Sequence, residues 1–323
     1  MPLGAESFDI KRWLREEALA LGFHYIGFTN CEPFQDEATR RRVWLDDGGR
    51  KLFPYLDHAD SLEPARWLEG AKTALVGFFP YARPNAIPGS ALGSLKLSRY
   101  LWGPDYHGVM KGRLKLLLAR AQERLPDLRG RVCVDTAPIL ERQLAVRAGL
   151  GWQGKHTLLI AGKGGSWGFL GVLLLDIEVA LDQPFQGNRC GRCTACVDAC
   201  PTGALSPFHL EPKLCLTTYN LETEREPPAV VLDAMRQTQW VAGCDRCQEV
   251  CPWNRAPVWG DAELWGGASP LHTLAASELP RGTAQWQKLT RGKALRRVRH
   301  RHWIATLRRV LDRCDAVSHI SLD

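Results

Sequence analysis

Cys190-Gly191-Arg192-Cys193-Thr194-Ala195-Cys196-Val197-Asp198-Ala199-Cys200-Pro201 is the stretch on which the reading of this chain turns. Its spacing, C-x2-C-x2-C-x3-C-P, is the ligand run of two-cluster iron–sulfur proteins, in which the fourth cysteine serves the other cluster of the pair. A second run, Cys244-x2-Cys247-x3-Cys251-Pro252, repeats the last three cysteines and lacks the upstream one. Cys215, between the runs, can supply the missing thiolate. Eight thiolates are what two four-iron cubes require. The crossing rule then gives Cys190, Cys193, Cys196 and Cys251 to one cluster, and Cys200, Cys215, Cys244 and Cys247 to the other.

Other uses of cysteine fit less well. Zinc ribbons take two C-x2-C pairs, not a quartet and a triplet. A radical-SAM site needs C-x3-C-x2-C, which no triplet here provides. Of 11 cysteines, only Cys31, Cys133 and Cys314 lie outside the 190–251 block. The N-terminus shows no secretory apolar region, so a disulfide scaffold is not expected.

The 323 residues are 45% hydrophobic and 24% charged, which excludes disordered, collagen-like and coiled-coil classes. The most apolar run, Trp167 to Asp176, is too short to span a bilayer, and a cytoplasmic protein with no membrane partner is expected. Upstream of the cysteines, helical and strand patterns alternate. Phe8–Leu21 and Val109–Leu125 carry apolar residues at helical spacing. Ile139–Ala148 reads as a helix capped by Gly149. Thr73–Phe79, Arg131–Val134, Leu158–Ala161 and Phe169–Ile177 read as strands, the last two separated by a turn at Gly162–Gly165. The fold class expected is α+β. Three regions follow: 1–185 as a catalytic domain, 186–257 as a ferredoxin-like module, and 258–323 as a basic helical segment.

Paired clusters move single electrons, so an acceptor must lie nearby. There is no G-x-G-x-x-G after a strand and no P-loop. Asp105-Tyr106-His107 begins a D-x-H-x-x-G cobalamin-ligand pattern, but Met110 stands where glycine belongs. On these residues alone the acceptor stays open among a flavin, a corrinoid and a partner protein.

Longer stretches carry a resemblance. Val134-Asp135-Thr136-Ala137-Pro138-Ile139-Leu140-Glu141-Arg142 and Gly149-Leu150-Gly151-Trp152-Gln153-Gly154-Lys155-His156 resemble the epoxyqueuosine reductase family. Ser98-Arg99-Tyr100, Gly103 to His107, the cysteine quartet and Gly243 to Asn254 do so as well. The resemblance implies a cobalamin-dependent enzyme that reduces epoxyqueuosine to queuosine at the wobble position of tRNA. It implies an N-terminal cobalamin-binding domain similar to flavin-reductase or nitroreductase-like folds, with cobalamin bound base-off and no histidine ligand. Asp135 matches the proton donor, with a pKa expected to be raised by burial or by the cofactor's apolar face. Without the motif, an Asp before a helix reads as a turn or cap residue. His156, Leu159 and Leu170 match positions near the cobalamin, and Thr217, Cys244 and Asp245 match contacts on the cluster side. Ser98 occupies a position where some members place a cysteine near the cobalt. Lys155 is an alternative phosphate contact.

The chain also departs from the family. His58, with Ser61 nearby, stands where an arginine contact to the corrin side chains is usual. Tyr219 follows Cys215 one residue later than expected. Rival readings are a corrinoid reductase of a small molecule, such as a reductive dehalogenase, and a non-enzymatic ferredoxin-like carrier. The basic tail argues against the first, and the long N-terminal domain with its Asp135 motif argues against the second.

Net charge is +7, but residues 281–313 hold 11 Lys/Arg against one acid, leaving the rest at −3. Arg296, Arg297, Arg299, Arg301, Arg308 and Arg309 sit among Leu295, Val298, Ile304, Leu307 and Leu311 at helical spacing. An amphipathic helix of this kind can lay its arginines on tRNA phosphates, with a solvated surface helix or a membrane-surface helix as the plainer alternatives. The expected partners are tRNA and an unidentified electron donor, and the expected state is a monomer.

Overall fold

The computed structural model describes residues 8–83, 95–266, 280 and 282–311. Arg281, Asp312, Arg313 and Cys314 lie outside the described residues. Four strands make the main sheet: β1 (Tyr25–Asn30), β2 (Thr73–Pro80), β4 (Gly130–Cys133) and β7 (Gly168–Leu175), in the order β1-β2-β7-β4. Every neighbouring pair is antiparallel, with Tyr25 opposite Phe78, Thr73 opposite Leu175, and Cys133 opposite Val172.

Both faces of this sheet are covered, which explains why β2 and β7 read as unbroken apolar runs. Alternate residues serve opposite cores. Leu75, Phe79, Leu173 and Leu175 pack with the helices Ile10–Ala20 and Tyr106–Arg124 through Leu14, Met110, Leu114 and Leu117. Ala74, Val76, Phe78, Val172 and Leu174 pack with the helix Glu141–Arg147 through Leu144 and Ala145. Each large side chain buried here contributes on the order of 1.5–3 kcal/mol. A mixed helix and strand architecture is what the sequence pattern led us to expect.

Asp9 starts the first helix, its carboxylate accepting the Arg12 N–H at 3.1 Å. Asp105 does the same for the helix Tyr106–Arg124. Both are the short polar acceptors that N-caps favour.

A further core lies in the C-terminal half. Leu216, Val231, Met235 and Val241 pack with Leu295, Trp303, Ile304 and Leu307 of the tail, and with Leu97 and Leu101 from the first half. The two-residue strand β3 (Lys96–Leu97) pairs in parallel with Trp240–Ala242 and joins the halves. The basic segment is not one continuous helix. A short turn, Ala294–Arg297, precedes the helix His300–Leu311, and the chain is extended at Val298, with ψ 123°. The described part of that helix buries His300, His302, Trp303, Ile304, Thr306, Leu307 and Val310, so its apolar side is built into the core. Among the described residues no helix is long and apolar enough to cross a membrane.

Candidate active site and cluster sites

β4 ends at Cys133, and two residues later the chain turns at Asp135 with φ +48°, a left-handed conformation uncommon outside glycine. Two contacts hold it there. Its backbone N–H donates to Glu141 Oε1 at 2.6 Å, and its Oδ2 lies 2.9 Å from His107 Nε2. Glu141 opens the helix Glu141–Arg147, and burial, then the Asp135 charge, push its carboxyl up to about 8.

His107 is held between two carboxylates. Asp105 Oδ1 lies 2.7 Å from its Nδ1 and also accepts its backbone N–H at 3.0 Å. Its ring stacks on Tyr106, centroids 4.1 Å apart, and Tyr106 stacks in turn on Phe169 at 4.1 Å. The hydrogen bond to Asp135 leads in raising the His107 pKa, and burial opposes it. For Asp135 the balance is different from the expectation. Burial pushes its carboxyl up, but the His107 hydrogen bond and charge, the Tyr106 hydroxyl and Arg297 pull harder, and the result lies below its ordinary value. With its side chain 49% exposed, Asp135 keeps enough solvent for those partners to win. The proton of this pair therefore rests on His107, not on Asp135.

Arg297 belongs to this site through its charge on Asp135, and it is itself paired with Glu222, whose other oxygen accepts the Tyr55 hydroxyl at 3.0 Å. Neither His107 nor Arg297 stands out as a proton-site residue in the sequence. The Asp105-x-His107 pattern was the available signal, because an N-cap aspartate two residues before a histidine places both on the first helical turn.

Three consecutive residues tie this site to the cysteines. Ser98 Oγ donates to Asp245 Oδ1 and Arg99 N donates to Asp245 Oδ2 at 2.7 Å, while the Tyr100 ring lies 6.2 Å from Tyr106. Ser98 is 3% exposed and Asp245 1%. Burial pushes the Asp245 carboxyl up to about 6 against these donors. Gly243, at φ +70°, makes the approach possible, since a Cβ there would lie 2.5 Å from Ser98 Cβ. Asn220 secures the same loop, accepting Gly243 N at 2.9 Å and donating to Gly243 O.

The thiols fall into two groups. Cys251 feels the charges of Cys190, Cys196 and Cys193, and it shares a buried apolar cluster with Cys190. Cys244 feels Cys215 and Cys200, and Cys247 feels Cys244 and Cys215 most strongly. The Thr217 N–H and hydroxyl pull the Cys215 thiol down against the burial that raises it. Cys193 is exposed, so the first group opens on the surface, whereas Cys244 sits beside the buried Asp245. Burial raises the thiols of Cys196, Cys215, Cys244, Cys247 and Cys251, and iron binding displaces the protons that burial retains. The donor set suits two four-iron cubes.

Other candidates are placed as follows. His156 is 3% exposed, and its Nδ1 accepts Leu158 N at 3.2 Å, leaving Nε2 buried without a partner. Burial lowers its pKa to about 4, so it is neutral at pH 7. Leu159 lies in the strand β6 (Leu159–Ile160) and Leu170 in β7, both against one core. Lys155 is not free for a phosphate: its Nζ donates to Gly191 O at 2.8 Å and Cys193 O at 2.9 Å, stapling the first cysteine loop. His58 is exposed, its ring packed 5.4 Å from Trp67. In the tail, Glu224 pairs with Arg301 at 2.9 Å and Arg299 at 3.7 Å, and Glu226 with Arg309 at 2.6 Å. Arg296 and Arg308 are exposed, and no carboxylate among the described residues pairs with them.

Residues 189–254 match the family model described as a 4Fe-4S double cluster binding domain, and residues 62–136 match that of epoxyqueuosine reductase QueG, DUF1730. The chain is 36% identical over 289 residues to the epoxyqueuosine reductase of Cyclobacterium marinum, covering 88% of this chain and 92% of that one. It is 36% identical over 305 residues to the Escherichia coli K12 enzyme, covering 92% and 78%. A solved epoxyqueuosine reductase in complex with an epoxyqueuosine-modified tRNA-Tyr stem loop superposes with a TM-score of 0.80 at 25% identity, covering 96% and 84%. A Bacillus subtilis epoxyqueuosine reductase, with its catalytic loop swung out of the active site, also gives 0.80 at 25% identity, covering 94% and 82%. Similarity of this extent, carried through both the proton site and the cysteine module, makes the chain a member of the epoxyqueuosine reductase family.

Proposed function

We propose that this chain reduces the epoxide of epoxyqueuosine in the tRNA anticodon loop to queuosine, with electrons passing from two four-iron clusters to a bound cobalamin and Asp135 delivering the proton. The observation that carries this is the wall from Asp245 through Ser98, Arg99 and Tyr100 to Tyr106 and Asp135. It sets the inner cysteine group and the proton site against one short segment, as coupled electron and proton delivery requires. We take the N-terminal half as the nitroreductase-like domain, with regions near 1–185, 186–257 and 258–323. Clusters are assigned to Cys190, Cys193, Cys196 and Cys251, and to Cys200, Cys215, Cys244 and Cys247.

For the cobalamin, the supporting observation is the orphaned donor of His156. Because Nδ1 accepts a backbone N–H, Nε2 carries the ring proton and points a buried N–H at nothing in the protein. A corrin ring edged with amides offers the acceptor such a donor lacks. Ser98, Leu159, Leu170 and Asp135 would line the same group, with Thr217, Cys244 and Asp245 on the cluster side. When bound, reduced cobalamin supplies the electrons that break the carbon–oxygen bond.

The residues do the proton work. Removing the epoxide oxygen as water consumes two electrons and two protons. As the oxygen departs, His107 Nε2 passes its proton to Asp135, which hands one on to that oxygen while Asp105 holds the imidazole in line, and the second proton comes from solvent. The sign of the pH dependence follows. His107 is raised, so it holds its proton to higher pH than an ordinary imidazole and loses it as pH rises through that raised value. Asp135 is lowered, so the ion pair survives acid to below the ordinary carboxylate range. Single-turnover rates should hold on the acid side of the raised His107 value and fall on its alkaline side. In His107→Asn the rate should drop by about 10- to 100-fold and the alkaline limb should disappear. An unchanged limb in that variant would remove His107 from the proton path.

The overall reading is tested by anaerobic reconstitution with iron, sulfide and cobalamin, followed by turnover on epoxyqueuosine-containing tRNA. Cluster and corrin absorbance without conversion of that tRNA would defeat it.

The tail adds a graded expectation. Arginines already held by glutamates exchange one anion for another on RNA binding, so the unpaired ones should dominate the salt response. Arg296→Gln with Arg308→Gln should lower the salt slope of tRNA binding by ~0.7–0.9 per contact, and Arg301→Gln by less. Filter binding from low to moderate salt measures this, and slopes equal to wild type would make the tail a solvated face.

A further inference from the structure

Trp152 lies in the strand β5 (Trp152–Gln153), paired with Ile160, and is 2% exposed. Its ring meets Trp253 edge to face at 4.8 Å and Phe185 at 5.2 Å. Together with Ile160, these rings make an apolar wall that also contains Cys251 and Cys190. The indole N–H is buried and has no hydrogen-bond partner in the protein.

An indole N–H can only donate, and buried donors are nearly always paired. Other indoles of this protein follow that rule. The indoles of Trp44, Trp265 and Trp286 all donate to backbone carbonyls, at 3.2, 3.0 and 2.9 Å. Trp303, the other buried tryptophan with an idle N–H, sits on the tail helix stacked against Trp286. Trp152 differs in its company, which is two thiols of the outer cysteine group.

We propose that Trp152 Nε1–H is a hydrogen-bond donor to the sulfurs of the cluster held by Cys190, Cys193, Cys196 and Cys251, and that it sets the reduction potential of that cluster. The proposal rests on the two-cluster reading of the cysteines. Thiolate and sulfide sulfurs are acceptors, and hydrogen bonds to them are one of the levers on cluster potential. Reduction adds one negative charge to the cube, so a donor stabilises the reduced form more than the oxidised form. Trp152 therefore raises the potential at the surface-facing cluster, where Cys193 is exposed and an electron would arrive.

The test uses the reconstituted holoprotein and a redox titration followed by EPR, with iron counted on the same samples. Trp152→Phe keeps an aromatic ring and removes the donor. The expected result is full iron, a lower midpoint for the Cys190 cluster and an unchanged midpoint for the Cys244 cluster. A Cys190-cluster midpoint equal to wild type at full iron overturns the proposal. If the phenylalanine variant loses iron, replacing Trp152 by benzothienylalanine keeps the bicyclic shape without the N–H, and the same lowering is expected; no shift there overturns the proposal equally. A wild-type protein lacking two separable four-iron signals would instead refute the cluster reading, and iron analysis tells the two failures apart.

Discussion

Asp135→Asn should retain both clusters and bound cobalamin yet lose turnover by ~10²-fold or more. Asparagine is the informative replacement because it tolerates the left-handed backbone that Asp135 adopts at φ +48°. It can also keep a hydrogen bond to His107 while carrying no transferable proton. Alanine adds backbone strain to the chemical loss, so Asp135→Ala should be at least as inactive and somewhat less stable. Absorbance of the corrin and the clusters, together with iron content, establishes that loading is intact. Turnover on epoxyqueuosine-containing tRNA is then the readout. Near-normal turnover in Asp135→Asn would reduce Asp135 to a turn residue held by Glu141 and His107.

The second large effect concerns the crossed cysteines. Cys200 follows Cys196 closely in the chain, but its thiol lies within the field of Cys215 and Cys244. Cys200→Ala should therefore remove the cluster of Cys215, Cys244 and Cys247 and leave that of Cys190, Cys193, Cys196 and Cys251. Iron should fall from about eight to about four per chain, since each cube holds four. Turnover driven by a chemical reductant should vanish, because the lost cluster is the one beside Asp245 and Ser98. Survival of the Cys244 signal with loss of the Cys190 signal would mean that each run serves its own cluster, and the crossing would be wrong.

Much of the fold is legible in the sequence for a simple reason. β2 and β7 are buried on both faces, so their apolar runs are continuous and bounded by Pro80 and the glycine turn. β1 is not legible. Gly27 interrupts its pattern because a side chain there would meet the Ala148 carbonyl, with a Cβ placed 2.1 Å from that oxygen. The helix Gln35–Trp44 buries none of its residues, so it carries no apolar stripe to read. At the site, the cysteine spacing is local and announces itself. The contacts of Asp135 with His107 and Arg297 join residues far apart in the chain and depend on tertiary placement. The rise of the Asp135 pKa expected from burial is outweighed by the imidazolium and guanidinium that the fold supplies, neither of which a local pattern announces.

The contact of Gly243 with Ser98 restricts how this sequence can drift. Position 243 is not free to change alone, because a Cβ there would lie 2.5 Å from Ser98 Cβ. Position 98 can accept a cysteine, which is of similar size, but then the oxygen that donates to Asp245 is replaced by a weaker sulfur donor. Lineages that exchange serine for cysteine at 98 should therefore show compensating changes around 245 rather than at 243. The glycine and its partner thus form one steric unit, since any side chain at 243 would have to displace the one at 98.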